Sequence, residues 1–194
     1  MNIYIVRHGE TAKNKEKLLQ GRSNSPLNEN GIRQAEKARD FLRSQNIRPD
    51  RICSSPLTRA AQTGKIIAGN DVPLLFDDRL LEMDYGPYEG TSLANPPREI
   101  ITFFQDFVHN PAPEGMESLA HVTERMGEFL QDILSDKDEN VLIATHAIAM
   151  KGALEYLTPD AEGMYWAKYV GNCDIYMAET LEDGYSVPHQ IFEI

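Results

Sequence analysis

Apolar positions along the chain follow two alternating periodicities, which predict strands followed by helices. Short continuous apolar runs at residues 2–6, 51–54, 72–76 and 141–145 are typical of strands buried on both faces. Apolar residues at helical spacing predict helices over 28–45, 55–69, 98–109, 118–133 and 147–157, and two last strands are predicted over 173–178 and 190–194. This order predicts an α/β fold, a three-layer sandwich whose mostly parallel central sheet is flanked by helices.

Residue types that favour helix ends set the predicted bounds of these helices. Asn28 and Ser118 are expected to cap the helices that follow them. Ser55 is expected to cap the helix over 55–69, because Pro56 then occupies the first turn, where proline is accepted. Gly69 is expected to close that helix.

The predicted helix over 98–109 is rich in aromatic residues. It is expected to bury Ile101, Phe104 and Val108 on one side. Aromatic residues at helical spacing are more typical of a core than of a substrate entrance, so a place for this helix at the entrance stays a secondary interpretation.

A loop rich in Gly and Pro precedes this helix and another follows it, and no linker or internal repeat divides the chain. We therefore expect a single domain over 1–194, in which 92–117 is a candidate lid or insert that sets substrate specificity.

The charge balance restricts the partners that the chain can have. Nineteen Lys and Arg against thirty Asp and Glu give a net charge of −11, so the average field repels nucleic acid and anionic membrane surfaces. Two cysteines are too few for a disulfide framework, and no apolar stretch is long enough for a signal core or a membrane span. We expect a cytoplasmic protein with no nucleic acid or membrane partner.

Two histidines directly follow predicted strands. His8 comes after the first strand and Arg7, and His146 comes after the strand over 141–145. Ligand sites of α/β sheets form beyond the carboxyl ends of the strands, so both imidazoles are expected at one crevice. Gly9 is expected to adopt a positive φ that turns backbone amides toward a small anion.

Arg59 gives an independent indication of an anion site. It lies in the first turn of a predicted helix, where the helix dipole disfavours a cation by about 0.3–1 kcal/mol. A phosphate at the same sheet edge would offset this cost and would meet Arg7 and both imidazoles. A metal site made of two histidines and one carboxylate is the alternative, but the two arginines would repel a divalent cation, so no metal is expected.

Several ordered motifs identify a family. The chain reads VRHGET at 6–11 with Asn14, QGR at 20–22 and PL at 26–27, then SPLTRAAQT at 55–63, LE at 81–82, GPYEG at 86–90 and LIATH at 142–146. In this order the motifs resemble the histidine phosphatase superfamily, whose fold is phosphoglycerate mutase-like. The resemblance covers most of the chain and implies the phosphatase-type branch.

The resemblance implies a role for each site residue. His8 would be the nucleophile that forms a phosphohistidine, and Arg7, Arg59 and His146 would hold the transferred phosphoryl group. Glu82 would be the acid that protonates the leaving group. Without the family pattern, Asp84 and Glu89 are equal candidates for that role. The residues expected to bind substrate are Gly9, Asn14, Gln20, Gly21 and Arg22.

The expected function is that of a phosphomonoesterase that needs no metal or other cofactor and acts on a small phosphorylated metabolite. A cofactor-dependent phosphoglycerate mutase is the alternative, and a phosphate-binding module without turnover is a third. The sequence leaves the metabolite and the oligomeric state open. His109, His121 and His189 lie in polar surroundings and are expected to be exposed.

Overall fold

The computed structural model describes residues 1–194 and places seven strands in one sheet. The order across the sheet is β3-β2-β4-β1-β5-β6, and β7 also pairs with β5. Strands β1 to β4 are parallel to one another, whereas β5 runs antiparallel to β1. The strands are β1 Asn2–Arg7, β2 Arg51–Ser54, β3 Leu74–Phe76, β4 Asn140–Thr145, β5 Ile175–Leu181, β6 Gly184–Tyr185 and β7 His189–Phe192.

Helices cover both faces of this sheet, which confirms the predicted three-layer α/β architecture. The helices are α1 Ala12–Lys15, α2 Glu29–Ser44, α3 Thr58–Ala68, α4 Arg98–Gln105, α5 Leu119–Ile133, α6 Ala147–Leu157 and α7 Met164–Ala167, with 3₁₀ turns at Asp78–Leu80 and Gly86–Tyr88. No helix combines the length and the apolar character that crossing a bilayer requires.

Successive side chains of β1 point to opposite faces of the sheet and so belong to two separate core clusters. Ile3 and Ile5 pack with α5 and α6 on one face, whereas Tyr4 and Val6 pack with α2 and α3 on the other. A strand that is covered on both faces must be apolar at every position, which explains the continuous apolar run. The predicted caps Asn28 and Ser118 are confirmed, because their side chains accept the N–H groups of Gly31 and His121.

Helix α3 begins later than predicted. Its first residue is Thr58 and its cap position is Leu57, which has no side-chain hydrogen bond to the helix. The prediction that Ser55 caps this helix was wrong because its hydroxyl is hydrogen-bonded to the imidazole of His146. Arg59 nevertheless stays in the first turn, and the predicted end at Gly69 is confirmed.

The aromatic helix α4 is shorter than predicted and buries a different face. Ile100 and Phe103 are buried, whereas Ile101 and Val108 are 40% and 53% exposed. The helix ends before Asp106, whose carboxylate accepts the N–H groups of Val108 and His109 and so prevents another helical turn.

The predicted strand over 173–178 also begins later, at Ile175. Cys173 adopts a φ of +61°, in the left-handed region, which a strand residue does not populate. The N–H of Cys173 still donates to the carbonyl of Arg7, so this turn packs directly against the carboxyl end of β1.

Candidate active site

The carboxyl ends of β1 and β4 bring His8 and His146 together. The two strands are adjacent and parallel, with Arg7 opposite Thr145, and the N–H of His8 donates to the carbonyl of Thr145. The two imidazole centroids lie 5.1 Å apart, with their planes inclined by 62°. The predicted juxtaposition of the two histidines is therefore present.

A hydrogen bond to its own neighbour orients the imidazole of His8. Its Nδ1 lies 2.7 Å from the carbonyl oxygen of Gly9, so Nδ1 carries the proton and Nε2 presents its lone pair. Burial, and then the positive charges of Arg59 and Arg7, hold the pKa of His8 well below 6.5. The ring is neutral at neutral pH, which is the form that can act as a nucleophile.

His146 is held by Ser55. The Nε2 of His146 lies 2.8 Å from the Ser55 hydroxyl oxygen, and the ring is fully buried. Burial is the main cause that lowers the pKa of His146 well below 6.5, and the nearby Arg59 charge is the next. The other ring nitrogen, Nδ1, is buried without a hydrogen-bond partner.

Arg7 and Arg59 carry positive charge into this buried region. Arg59 is 0% exposed, and its two terminal nitrogens donate to the carbonyls of Ser23 and Gly21 at 2.8 and 2.6 Å. Burial lowers the pKa of Arg59 to about 10. Arg7 donates to the carbonyl of Val170 at 2.6 Å. The backbone therefore fixes both guanidinium groups without neutralising them.

Unpartnered donors concentrate at this site. Arg7 Nε, Arg59 Nε and Gln20 Nε2 are buried donors without a hydrogen-bond acceptor, and His146 Nδ1 is a buried ring nitrogen without a partner. The fifth unpartnered nitrogen, Arg51 Nε, belongs to the first residue of β2. Buried polar groups are normally paired, because burying an unpaired one costs about 1–3 kcal/mol. An anion with several oxygens, such as a phosphoryl group, is the ligand whose acceptors match these donors.

Glu82 is the carboxylate that the structure brings to the two histidines. It is buried at the start of α6, where its Oε1 accepts the N–H groups of Met83, Ile148 and Ala149 at 2.9, 3.0 and 3.0 Å. These bonds leave Oε2 with one longer contact, 3.3 Å from the Ile148 nitrogen. Oε2 is therefore the oxygen that is available for proton transfer.

The two other candidate carboxylates make different contacts. Asp84 is half exposed and forms an ion pair with Arg22 at 3.7 Å. Glu89 accepts the N–H of Gly21 at 2.8 Å and the hydroxyl of Ser23. Neither carboxylate lies at the N-terminus of α6, so the geometry favours Glu82 as the acid.

Gly9 is required for a reason other than the predicted one. It has no positive φ, and its amide donates to the Thr63 hydroxyl instead of facing the anion site. A Cβ at this position would lie 2.5 Å from the carbonyl oxygen of Gly31. Glycine is needed because the start of α2 packs directly against the loop that carries His8.

The other predicted substrate-binding residues lie in different surroundings. Gly21 lies beside Arg59, since its carbonyl accepts from that guanidinium, and the buried Gln20 accepts a hydrogen bond from the Thr11 hydroxyl. Asn14 forms a capping box with Thr11 at the start of α1. Arg22 lies at the rim, where it is 41% exposed and contacts Glu117 at 3.6 Å as well as Asp84.

No cluster of three or more His, Cys, Asp or Glu side chains is arranged to hold a metal ion. His8 and His146 lie close together, but Arg7 and Arg59 flank them, and Glu82 is held by backbone N–H groups. The arrangement is suited to an anion.

Comparison with known proteins identifies the family. A family model described as the histidine phosphatase superfamily, branch 1, matches residues 3–190. The chain belongs to this superfamily. The assignment confirms the resemblance carried by the motifs, and relatives of the chain are named as phosphatases or phosphoglycerate mutases.

Three similar proteins span most of this chain. "Putative phosphoserine phosphatase 2" of Hydrogenobacter thermophilus is 31% identical over 89% of this chain and 86% of its own length. "Probable phosphoglycerate mutase GpmB" of Yersinia pestis is 35% identical over 77% and 71%. A solved structure titled as a putative α-ribazole-5′-P phosphatase from Escherichia coli has a TM-score of 0.84 at 20% identity, covers 100% of this chain and 96% of its own, and shows the shared fold.

Three polar residues that the sequence reasoning missed position the site residues. The Ser55 hydroxyl contacts His146, the Thr63 hydroxyl accepts the N–H of Gly9, and Asn172 donates to the carbonyl of His8 at 2.9 Å. Ser55 directly follows β2, at the same sheet edge as the histidines, and this position could have identified it. No comparable signal marks Asn172, which reaches the site from the turn before β5.

The buried histidines predict how stability depends on pH. In the folded protein the pKa values of His8 and His146 lie well below the 6.5 of an unfolded chain. Below pH 6.5 the unfolded chain binds protons that the folded protein does not, so the free energy of unfolding falls as pH falls. We expect a loss of up to about 1.4 kcal/mol per pH unit per histidine.

Urea unfolding between about pH 7.5 and 5 measures this dependence. The His8→Asn variant should lose less stability over that range than the wild type, because one of the two histidines no longer titrates. The matched control is His189→Asn, which changes an exposed histidine and should keep the wild-type dependence. Equal slopes for His8→Asn and the wild type would contradict the assignment.

Proposed function

We propose that this histidine phosphatase is a phosphomonoesterase that hydrolyses a small phosphorylated metabolite through a phosphohistidine on His8. The observation that carries the proposal is the set of unpartnered buried nitrogens on Arg7, Arg59 and His146 beside the unprotonated Nε2 of His8. A phosphoryl group placed there would fill the donors with its oxygens and meet a nucleophile with its phosphorus. Supporting evidence comes from relatives that are named as phosphatases.

In the first step, the lone pair of His8 Nε2 forms a bond to phosphorus while the bond from phosphorus to the ester oxygen breaks. The Oε2 of protonated Glu82 gives its proton to the leaving oxygen, so the product leaves as an alcohol. A neutral imidazole approaches the phosphoryl group without adding negative charge. Arg7 and Arg59 offset the charge on the equatorial oxygens, where electrostatic stabilisation supplies most of the catalysis.

In the second step, water replaces the alcohol. The carboxylate of Glu82 takes a proton from the water as its oxygen attacks phosphorus, and the bond between phosphorus and His8 Nε2 breaks. Inorganic phosphate leaves, the imidazole lone pair is restored and Glu82 is protonated again. Every proton is returned, so the cycle needs no cofactor or external acid.

The charge of the 92–117 segment supports hydrolysis over a mutase reaction. A mutase must retain a doubly phosphorylated intermediate, which calls for additional cations beside the site. This segment has a single arginine and no lysine, whereas its acidic residues are Glu99, Asp106, Glu114 and Glu117. As part of the proposal, 92–117 belongs to the same domain and forms one wall of the substrate site.

A screen of phosphate release tests the proposed function. The wild type and His8→Ala are incubated in parallel with sugar phosphates, phosphoglycerates, nucleotides and cofactor precursors, and release is expected only with the wild type. From 3-phosphoglycerate with a catalytic amount of the bisphosphate, faster formation of 2-phosphoglycerate than of phosphate would support a mutase instead. Phosphate binding without release from any substrate would indicate a binding module.

Replacing the carboxyl group of Glu82 with an amide tests its role as the acid. For Glu82→Gln we expect kcat/KM, which reports only the steps through release of the alcohol, to fall by about 10²–10³-fold on alkyl phosphates, whose leaving oxygen needs a proton. On 4-nitrophenyl phosphate the loss should be below about tenfold, because a stable phenolate leaves without one. Steady-state kinetics on both substrates gives the comparison.

Two substitutions serve as controls for Glu82→Gln. Asp84→Asn changes the neighbouring carboxylate that pairs with Arg22 at the rim, and it should not separate the two substrates. An equal loss of kcat/KM on both substrates in Glu82→Gln would exclude proton donation to the leaving group as its main contribution to the first step and would point to its contacts at the start of α6.

A further inference from the structure

A groove lies between the end of α4 and helix α7. Its volume is about 340 Å³, and the lining residues used below are Phe104, Phe107, Lys151, Trp166, Lys168 and Tyr169. Four of these six residues are aromatic, and Tyr169 is 82% exposed. Aromatic rings that line a groove favour a flat apolar ligand, because they contribute area and stacking at little conformational cost.

Lys151 lies in this groove as a buried cation. It is only 9% exposed, its Nζ donates to the carbonyl of Trp166 at 2.8 Å, and the same atom lies 5.4 Å from the centre of the Phe107 ring. An ammonium has three N–H donors, and this contact uses one of them. Burial lowers the pKa of Lys151 to about 8, which shows that its charge is incompletely compensated.

One segment of the chain connects the groove to the phosphoryl site. The segment that contains Trp166 and Tyr169 continues directly into Val170, whose carbonyl accepts the hydrogen bond from Arg7. Lys151 is five residues after His146 on α6, about 7.5 Å along a helix with a rise of 1.5 Å per residue. The charges of Glu82 and Arg7 act on Lys151, so all three groups lie within electrostatic reach.

The other charged groups in the groove do not replace Lys151. Lys168 is exposed at the rim, where its Nζ lies 5.0 Å from the centre of the Tyr176 ring. Asp106 also borders the groove, but its carboxylate is occupied by the N–H groups of Val108 and His109 and by the His109 ring. Lys151 is therefore the buried charge that has donors left for a ligand.

We propose that this groove binds the leaving-group part of the substrate, and that Lys151 pairs there with an anionic group, a carboxylate, on an apolar and preferably aromatic body. The inference rests on the proposed function, because it assigns the alcohol portion of a phosphomonoester to the groove. Lys151 is then the residue that selects the substrate by charge, while Arg7 and Arg59 hold the phosphoryl group.

Three aryl phosphates test this selection. The phosphate esters of 3-(4-hydroxyphenyl)propanoate, 4-ethylphenol and tyramine carry an anionic, a neutral and a cationic tail on the same ring. Two methylene groups separate each charged group from the ring, so the three phenols are nearly equal as leaving groups. Differences in kcat/KM therefore report recognition of the tail and not leaving-group chemistry.

The wild type is expected to prefer the anionic ester over the neutral one by about 10- to 100-fold in kcat/KM, and the cationic ester should be the poorest substrate. In Lys151→Met, which removes the charge and keeps an unbranched side chain one atom shorter, the ratio of kcat/KM for the anionic ester to that for the neutral ester should fall to about one. Lys168→Met removes an equal charge from the exposed rim and should keep most of the ratio, because water screens that charge.

Binding to the inactive His8→Ala variant separates this inference from the proposed function. Calorimetry with the same three esters should give the same order of affinity, and the order should disappear in His8→Ala/Lys151→Met. Hydrolysis through His8 with no preference for the anionic ester would overturn the groove assignment and leave the phosphatase proposal intact. Selective binding of the anionic ester without hydrolysis by the wild type would overturn the phosphatase proposal and leave the groove assignment intact. A preference for the anionic ester that survives in Lys151→Met would overturn the groove assignment.

Discussion

Replacing His8 with alanine is expected to lower kcat for phosphate release by about 10⁴-fold or more, because the reaction loses its nucleophile. The residual rate should come from Arg7 and Arg59, which would still polarise a bound phosphoryl group for direct attack by water. Binding of inorganic phosphate should weaken far less than turnover, since the unpartnered donors remain in place. Steady-state kinetics and calorimetry on the same preparation give both quantities.

Two controls accompany the His8→Ala experiment. His189→Ala removes an exposed histidine from β7 and should leave kcat unchanged within about twofold. Added imidazole should restore part of the activity of His8→Ala, because it can occupy the space of the missing ring and attack phosphorus. A His8→Ala protein that keeps at least a tenth of the wild-type kcat would contradict a covalent role for this residue.

Replacing Arg59 with methionine is expected to lower kcat/KM by about 10³-fold or more. The guanidinium contributes charge where it builds up in the transition state, and comparable arginines in phosphoryl transfer contribute about 10³–10⁵-fold. Its environment amplifies the effect, because Arg59 is fully buried and its field is not screened by water. Binding of orthovanadate should weaken in parallel with kcat/KM.

A structural contribution of Arg59 must be separated from its chemical one. Methionine leaves the carbonyls of Gly21 and Ser23 without their donor, so we expect the free energy of unfolding to fall by about 1–3 kcal/mol. Urea unfolding measures this loss, and kinetics is then compared where both proteins are folded. Arg43→Met, at an exposed position on α2, is the control. A folded Arg59→Met enzyme within tenfold of the wild type would contradict the charge argument.

Helices with regularly spaced apolar residues and a capping residue were predictable from the sequence. Helix α6 has the predicted bounds, and α2 and α5 begin after the predicted caps. These ends depend on interactions within a few residues, which the sequence records directly. The start of α3 was not predictable in this way, because Ser55 contacts His146, which is 91 positions further along the chain.

The buried face of α4 shows another limit of periodicity. The four apolar residues of this short helix could form more than one apolar stripe. Phe103 is the buried aromatic residue, and its ring centroid lies 5.6 Å from that of Phe104 and 4.9 Å from that of Phe107. Which of these stripes is buried depends on the residues that pack against the helix and not on the spacing of its apolar residues. The same limit applies to Lys151, which is one polar position within an apolar helix until its neighbours are known.

The juxtaposition of the site residues was more predictable than their contacts. Parallel strands end at one edge, so His8 and His146 could be placed together from their positions after β1 and β4. Local chemistry does not reveal that Glu82 holds the start of α6 or that Gly9 makes room for Gly31. These contacts join segments that are far apart in sequence and depend on how the layers pack.

The proposed site would allow an acidic chain to bind an anion. With a net charge of −11, the protein does not attract phosphate through its overall field. Arg7 and Arg59 are instead held by backbone carbonyls, which fix a cation without cancelling its charge. Burial then strengthens the local interaction with a phosphoryl group.

Trapping the phosphoenzyme tests the central claim most directly. The wild type is mixed with a phosphomonoester that it hydrolyses, quenched in alkali to preserve an acid-labile phosphoramidate, digested and mapped by mass spectrometry. The account predicts one added phosphoryl group on the imidazole of His8, which forms within one turnover, disappears in acid and is absent from His8→Ala. A phosphoryl group on another residue, or steady turnover with no adduct at any time, would contradict it.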